Sequence, residues 1–315
     1  MRYNTADRPR IGWIGAGRMG LPLAGRLIDA GLDVAIYNRT KEKTAPAVER
    51  GAVAVDHPQE LDDRDIVFTM VSASADLLEV VTGPHGLFSG EGRGPGLLVD
   101  SSTVSMEASA EVRALAAKRG TDFLAAPVSG NPKVVAAGQM TMAVSGDEET
   151  FEAARPVLEL LGKGVSYVGP GEVARLVKIC HNVYLGVVIQ SLAEITVLAQ
   201  KGGASRAGFL SFMNDSVMGS TFSRYKTPAL VNLDFTPTFT LPLLRKDFDL
   251  GLAAARQLEV PMPVASAAAN LVAAAIGAGY RYEDFAVLIE EQAHSSGLRL
   301  EPEGVEVDDG LDGPA

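Results

Sequence analysis

Ile11-Gly12-Trp13-Ile14-Gly15-Ala16-Gly17-Arg18-Met19-Gly20 runs straight into Leu21-Pro22-Leu23-Ala24. An apolar strand pattern ends in Gly-x-Gly-x-x-Gly and gives way to a helix at the last glycine. In such a turn Gly15 allows the tight bend, and Gly17 lets backbone N–H groups approach a pyrophosphate. Gly20 lets the helix pack on the strand, with its N-terminus toward the phosphates. Ile14, Ala16, Arg18 and Met19 complete the predicted binding loop. A second apolar strand at Val34–Tyr37 supplies the βαβ context without which the glycines are only a turn.

The identity of the dinucleotide is read just after that second strand. An NAD site commonly places an acid there to accept the ribose hydroxyls. This chain has Tyr37-Asn38-Arg39-Thr40-Lys41 instead. Arg39 has the fork geometry for a 2′-phosphate and the flat face for adenine, while Asn38 and Thr40 offer uncharged hydrogen bonds. Lys41 and Lys43 add positive potential. NADP(H) is therefore the predicted cofactor, with NAD(H) as the alternative.

Downstream, buried-strand patterns recur at Asp65–Val71, Gly96–Asp100, Thr121–Ala126, Met140–Val144 and Gly164–Val168. Helical segments such as Met106–Arg119 and Glu148–Leu161 lie between them. This alternation predicts an α/β fold with an N-terminal Rossmann-type doubly wound sheet, whose ligand crevice lies at the strands' C-terminal ends. From Glu172 the pattern turns helical, reaching about Lys201 with Gly186 as the main interruption. Further helices are predicted at Arg206–Ser216, Leu241–Gln257, Met262–Ala278 and Tyr282–Ser296. The expected organisation is an extension over 1–9, an NADP-binding domain over 10–169 and an all-helical substrate and dimerisation domain over 170–298. A helix of about 28 residues, roughly 42 Å long, joins the two domains.

Composition narrows the function classes. With 315 residues, 47% of them hydrophobic, the chain can bury two cores. The net charge of −11 is concentrated at one end: residues 301–315 hold six acids and no base, which leaves −5 elsewhere. Residues 299–315 therefore read as an acidic, disordered tail. No basic stripe points to nucleic acid. The four histidines are scattered without metal-ligand spacing, so no metal is predicted. The single cysteine, Cys180, fits a reducing compartment, and Met1–Arg10 lacks an apolar signal core. Val260–Tyr280 is uncharged and long enough to span a bilayer, but its prolines, glycines and alanines favour a buried interface helix. A cytoplasmic protein without a membrane partner is expected.

Lys178 and Asn182 are four residues apart, and so share one helical face near the domain boundary. Flanked by Leu176, Val177, Ile179 and Cys180, the lysine is expected to be partly desolvated. That lowers an ammonium pKa and suits general acid–base work; a lysine that snorkels to solvent is the alternative. Three segments are expected to meet it. Asp100-Ser101-Ser102-Thr103 follows a strand and brings Ser102 toward the substrate. Pro127-Val128-Ser129-Gly130-Asn131 offers a hydroxyl and two amides to a carboxylate. Arg245-Lys246-Asp247, read as a loop, offers a cation to cofactor or substrate.

In these motifs, taken in order from about Arg10 to Gly297, the chain resembles the β-hydroxyacid dehydrogenases. That family includes 3-hydroxyisobutyrate dehydrogenase, tartronate semialdehyde reductase and the glyoxylate/succinic semialdehyde reductases. The resemblance implies Lys178 as catalytic acid/base and Asn182, Ser129 and Gly130 as substrate contacts. It further implies Val71-Ser72, Thr103 and Lys246 as cofactor contacts, a small carboxylate substrate and a homodimer. Three departures border the implied pocket: Asn131 followed by Pro132 and Lys133 where the family has a second glycine; Glu172 and Ala174 where it has glycines; and His181 where it has asparagine. Imine reductases share the architecture but replace the lysine with Asp or Tyr. The predicted activity is NADP-dependent hydride transfer between nicotinamide and a β-hydroxyacid or semialdehyde. Imine reduction and a non-catalytic dinucleotide sensor are the alternatives.

Overall fold

The computed structural model describes residues 8–311. Residues 1–7 of the expected extension and 312–315 of the expected tail lie outside them. The described residues form two compact units, one ending at Lys178 and the other beginning at Ile179.

In the first unit, β1 (Ile11–Ile14), α1 (Gly20–Asp29), β2 (Val34–Tyr37), α2 (Ala45–Glu49), β3 (Val53–Ala54), β4 (Ile66–Thr69), α3 (Ser74–Thr82), β5 (Leu97–Asp100), α4 (Met106–Arg119) and β6 (Asp122–Ala125) alternate along the chain. Then come β7 (Val128–Ser129), α5 (Pro132–Ala136), β8 (Thr141–Ser145), α6 (Glu148–Leu158) and β9 (Gly164–Gly169). The sheet order is β3-β2-β1-β4-β5-β6-β8-β7, with β9 on β8. All pairings from β3 to β6 are parallel. The sheet turns antiparallel where β8 meets β6 and β7.

The strands are short, and three of them are buried at every residue. Their side chains alternate between two cores. Ile11, Trp13, Ile66, Phe68, Leu97 and Val99 enter one; Ile14, Val67 and Leu98 enter the other. That period of two, apolar on both faces, is what a sheet covered by helices on each side requires. The order reverses at β1, which has β2 on one side and β4 on the other, so the crevice opens at the C-terminal ends of β1 and β4.

α7 (Val173–Lys201) begins in this unit. Its first turns are anchored there: the Ala174 N–H donates to Ser145 Oγ, and Arg175 is buried at 1% exposure. The division between the compact units therefore falls within α7.

The second unit comprises the rest of α7, α8 (Arg206–Asp215), α9 (Thr221–Asn232), α10 (Leu241–Gln257), α11 (Pro263–Gly277) and α12 (Leu288–Ser295) around one apolar core. α7 and α10 approach closely through reciprocal glycines. A Cβ on Gly186 would meet the Phe248 ring at 2.5 Å, and one on Gly251 would meet Val183 at 2.4 Å. α7 is also the one described helix long and apolar enough to cross a membrane, and half of its most apolar stretch is buried. α11 has 15 residues, short of a span.

The expected disordered tail is instead laid along this unit through Leu311. Glu303 accepts the Arg206 and Ala207 N–H groups at the start of α8, at 2.6 and 3.0 Å. A carboxylate is favoured there by the helix dipole. Arg206 in turn donates to the Glu301, Leu230 and Val231 carbonyls, and Leu300 is buried. Acidic composition alone does not reveal such partners.

Candidate active site

The β1–α1 turn separates its glycines by role. Gly15 sits at φ 108°, where a Cβ would stand 2.2 Å from the Met70 carbonyl oxygen; a Cβ on Gly20 would stand 1.9 Å from that of Gly15. Both are required by the protein's own backbone. Gly17 is different, because nothing lies within 4 Å of its Cβ position. It opens instead onto a cleft of about 320 Å³ lined by Ile14, Gly15, Gly17, Asn38, Arg39, Thr40, Val71 and Ser72. These are predicted cofactor residues from three separate loops, gathered at the C-terminal ends of β1, β2 and β4. A dinucleotide fits this donor set: a glycine cradle left open at its centre, with cationic Arg39 and Lys43 on its rim.

Asn38 has a role inside the fold. Its Oδ1 accepts the Ala16 N–H at 2.9 Å and its Nδ2 donates to the Thr40 carbonyl at 2.8 Å, so it ties the glycine turn to the loop after β2. Lys41 pairs with Asp56, and that bond raises the lysine pKa and lowers the aspartate's. Arg18 and Met19 immediately precede α1, Met19 as its N-cap residue. The sequence reading missed the opposite wall: Asp76 and Glu79 of α3, and His57 stacked on His85 at 4.3 Å. Isolated polar residues on separate surface loops give no periodic signal.

The Asp100–Thr103 loop is held by a buried network. Arg175 donates from Nη2 to Asp100 Oδ2 at 2.5 Å, from Nη1 to the Ser102 carbonyl at 2.7 Å and from Nε to Ser109 Oγ at 3.0 Å. Asp100 Oδ1 accepts the Thr69 and Ser102 hydroxyls, and Ser102 Oγ accepts the Val71 N–H at 2.9 Å. Ser102 is thus fully buried and bonded on both sides, in contrast to the substrate contact expected of it. Thr103, beside it, is half-buried. Glu172, one of the departures, accepts Arg113 Nε at 2.5 Å and the Ser109 hydroxyl. Together these bonds join the start of α7 to the loop after β5. Lys178, half-buried, follows Arg175 by three residues.

Ser129 ends β7, and Gly130 adopts φ 140°. Asn131 caps α5, its Oδ1 accepting the Val134 N–H at 3.0 Å. The asparagine that replaces the family's glycine is therefore a helix start. In the second unit, Asn182 is buried and donates from Nδ2 to Asp247 Oδ2 at 2.6 Å. That donation turns Asn182 Oδ1 toward His181 Nδ1, 3.0 Å away. Lys246 and Asp247 belong to α10 and not to a loop. Lys246 Nζ lies 3.6 Å from Asp247 Oδ1.

Comparison with known proteins matches the chain in two parts. Residues 10–169 match the NAD-binding domain of 6-phosphogluconate dehydrogenase. Residues 173–291 match the NAD-binding domain of NADP-dependent 3-hydroxyisobutyrate dehydrogenase. Glyoxylate/succinic semialdehyde reductase 2 of Arabidopsis thaliana is 33% identical over 89% of this chain and 78% of its own. The 2-(hydroxymethyl)glutarate dehydrogenase of Eubacterium barkeri is 32% identical over 92% and 97%. Among solved structures, Mycobacterium tuberculosis 3-hydroxyisobutyrate dehydrogenase with L-serine superposes with a TM-score of 0.79 at 29% identity, covering 90% of this chain and 99% of that one. With a glycine cradle that opens on its cleft and both halves matched, the chain belongs to the β-hydroxyacid dehydrogenase family of NAD(P)-dependent oxidoreductases.

Proposed function

We propose that this protein is an NADP(H)-dependent reductase of a short carboxylate semialdehyde, forming the corresponding hydroxy acid, with Lys178 as the proton carrier. Bound NADPH supplies the hydride to the carbonyl carbon. Lys178 Nζ donates the proton to the carbonyl oxygen, and takes it back when the reaction runs as an oxidation. Asn182, its amide locked by Asp247, orients the lysine or the new hydroxyl. Ser129 and the Gly130 and Asn131 amides receive the substrate carboxylate. Val71, Ser72, Thr103 and Lys246 complete the cofactor contacts. Positioning of this kind contributes orders of magnitude to rate.

The observation that carries this reading is the pairing of Lys178 with Asn182 one turn apart on a helix whose start is tied to the loop after β5. The NADP(H) preference is supported by Arg39 and Lys43 on the cleft rim and by the absence of an acid among Asn38, Arg39 and Thr40. The substrate class is supported by relatives named for glyoxylate, succinic semialdehyde and 2-(hydroxymethyl)glutarate. A homodimer through α7 is supported by the exposed Tyr184 and Leu198, and Cys180 as an exposed lone thiol fits the cytoplasm. An NADPH-oxidation panel of glyoxylate, succinic semialdehyde, other semialdehydes and cyclic imines tests the reading. Turnover of a semialdehyde is expected. Turnover of imines alone, or of nothing while NADPH still binds, would overturn it.

A further inference from the structure

The cofactor cleft carries two acids that a phosphate-binding rim does not need. Arg39 stands in the loop after β2, which Asn38 pins to the glycine turn. Its Nη1 lies 3.3 Å from Oδ1 of Asp76, in the first turn of α3. Glu79 lines the same wall one turn further on, but Asp76 is the acid that touches the arginine. Asp76 stands in the first turn of α3, where a negative charge interacts favourably with the helix dipole.

The pair is open to exchange. The Arg39 side chain is 78% exposed, and an ion pair of that exposure binds weakly. A phosphate dianion gripped by a guanidinium fork outcompetes a single exposed carboxylate, whereas a ribose diol carries no charge with which to compete. Arg39 therefore stays with Asp76 when the ligand lacks the 2′-phosphate. When the phosphate is present, Arg39 leaves Asp76, and a carboxylate is left facing the dianion.

We propose that Asp76 sets the cofactor selectivity of this cleft by competing with the 2′-phosphate for Arg39. The inference rests on the assignment of Arg39 to that phosphate. It makes Asp76 a moderating residue: NADP(H) binds more weakly than the arginine alone would allow, and NAD(H) is left almost untouched.

Calorimetric Kd values for NADPH and NADH, measured on wild type, Asp76→Asn and Arg39→Ala, test the proposal. Removing one charge close to a phosphate at the surface is expected to tighten NADPH by about tenfold at low salt, with a smaller gain at high salt. The NADH value should stay within about twofold. Arg39→Ala should weaken NADPH and spare NADH. If Arg39→Ala behaves so while Asp76→Asn leaves the NADPH/NADH ratio unchanged, the role of Asp76 is overturned and the cofactor assignment stands. If Arg39→Ala leaves the ratio unchanged, the assignment of Arg39 fails and the inference fails with it.

Discussion

Arg175 and Arg39 each face an aspartate, in opposite surroundings. Arg175 is 1% exposed against an Asp100 that is fully buried, and it also holds the Ser102 carbonyl and Ser109. Arg39 is 78% exposed and touches Asp76 at 3.3 Å. The buried pair cannot separate, because each charge would be stranded where water does not reach. The exposed pair can separate at little cost, because water replaces either partner. The first kind joins α7 to the loop after β5 permanently; the second leaves a cation available to a ligand. The same pairing chemistry thus serves fixed architecture in one place and, on the reading proposed above, exchangeable binding in the other, with burial deciding which.

The largest effect expected from this contrast is in Asp100→Ala. It strands the Arg175 guanidinium and should cost about 3–5 kcal/mol in urea unfolding. A cost below about 1 kcal/mol would erase the distinction.

A second buried pair, Lys226–Asp284, at 2.6 Å in the helical unit, sharpens it through pH. Burial pushes the Asp284 carboxyl up. The Lys226 charge and the hydrogen bonds from Lys226, Thr238 and Ala286 outweigh that and hold it below its ordinary value. A carboxyl lower in the folded state than in the unfolded one stabilises the fold above its unfolded value, about 4, and that contribution is lost as pH falls through the folded value. Thermal unfolding should therefore become steeply acid-sensitive below about pH 4, and less so in Asp284→Asn. Equal slopes would show that the pair carries no such linkage.

The smallest effect belongs to the rim. Asp76→Asn should change stability by less than about 0.5 kcal/mol, since the pair it breaks is exposed.

Much of the framework was legible in the residues themselves. The β1 turn, the long α7 and the buried strands each carry a local signal: glycine spacing, an unbroken helical pattern, an apolar run. α9 escaped notice because Pro228 sits inside it and its Ser, Arg, Tyr and Lys residues mask the period; a Ser220–Ser223 capping box starts it. The antiparallel turn at β8 and the strand order depend on pairings between distant segments, which one sequence does not encode locally. The same holds for the site. Arg39 could be singled out by type and position, but its partner lies 37 residues away. Asn38 has the chemistry of a ligand contact, but its bonds to Ala16 and Thr40 could not be read from its type. Glu303, in a segment whose composition suggested disorder, caps a helix 97 residues earlier.

Lys178 as the proton carrier is tested most directly by kcat of Lys178→Ala on a semialdehyde that the wild type reduces, with the NADPH Kd measured alongside. A fall of roughly 10²–10⁴-fold in kcat, with that Kd unchanged within about twofold, is the predicted result. A variant that keeps kcat within tenfold of wild type would contradict it.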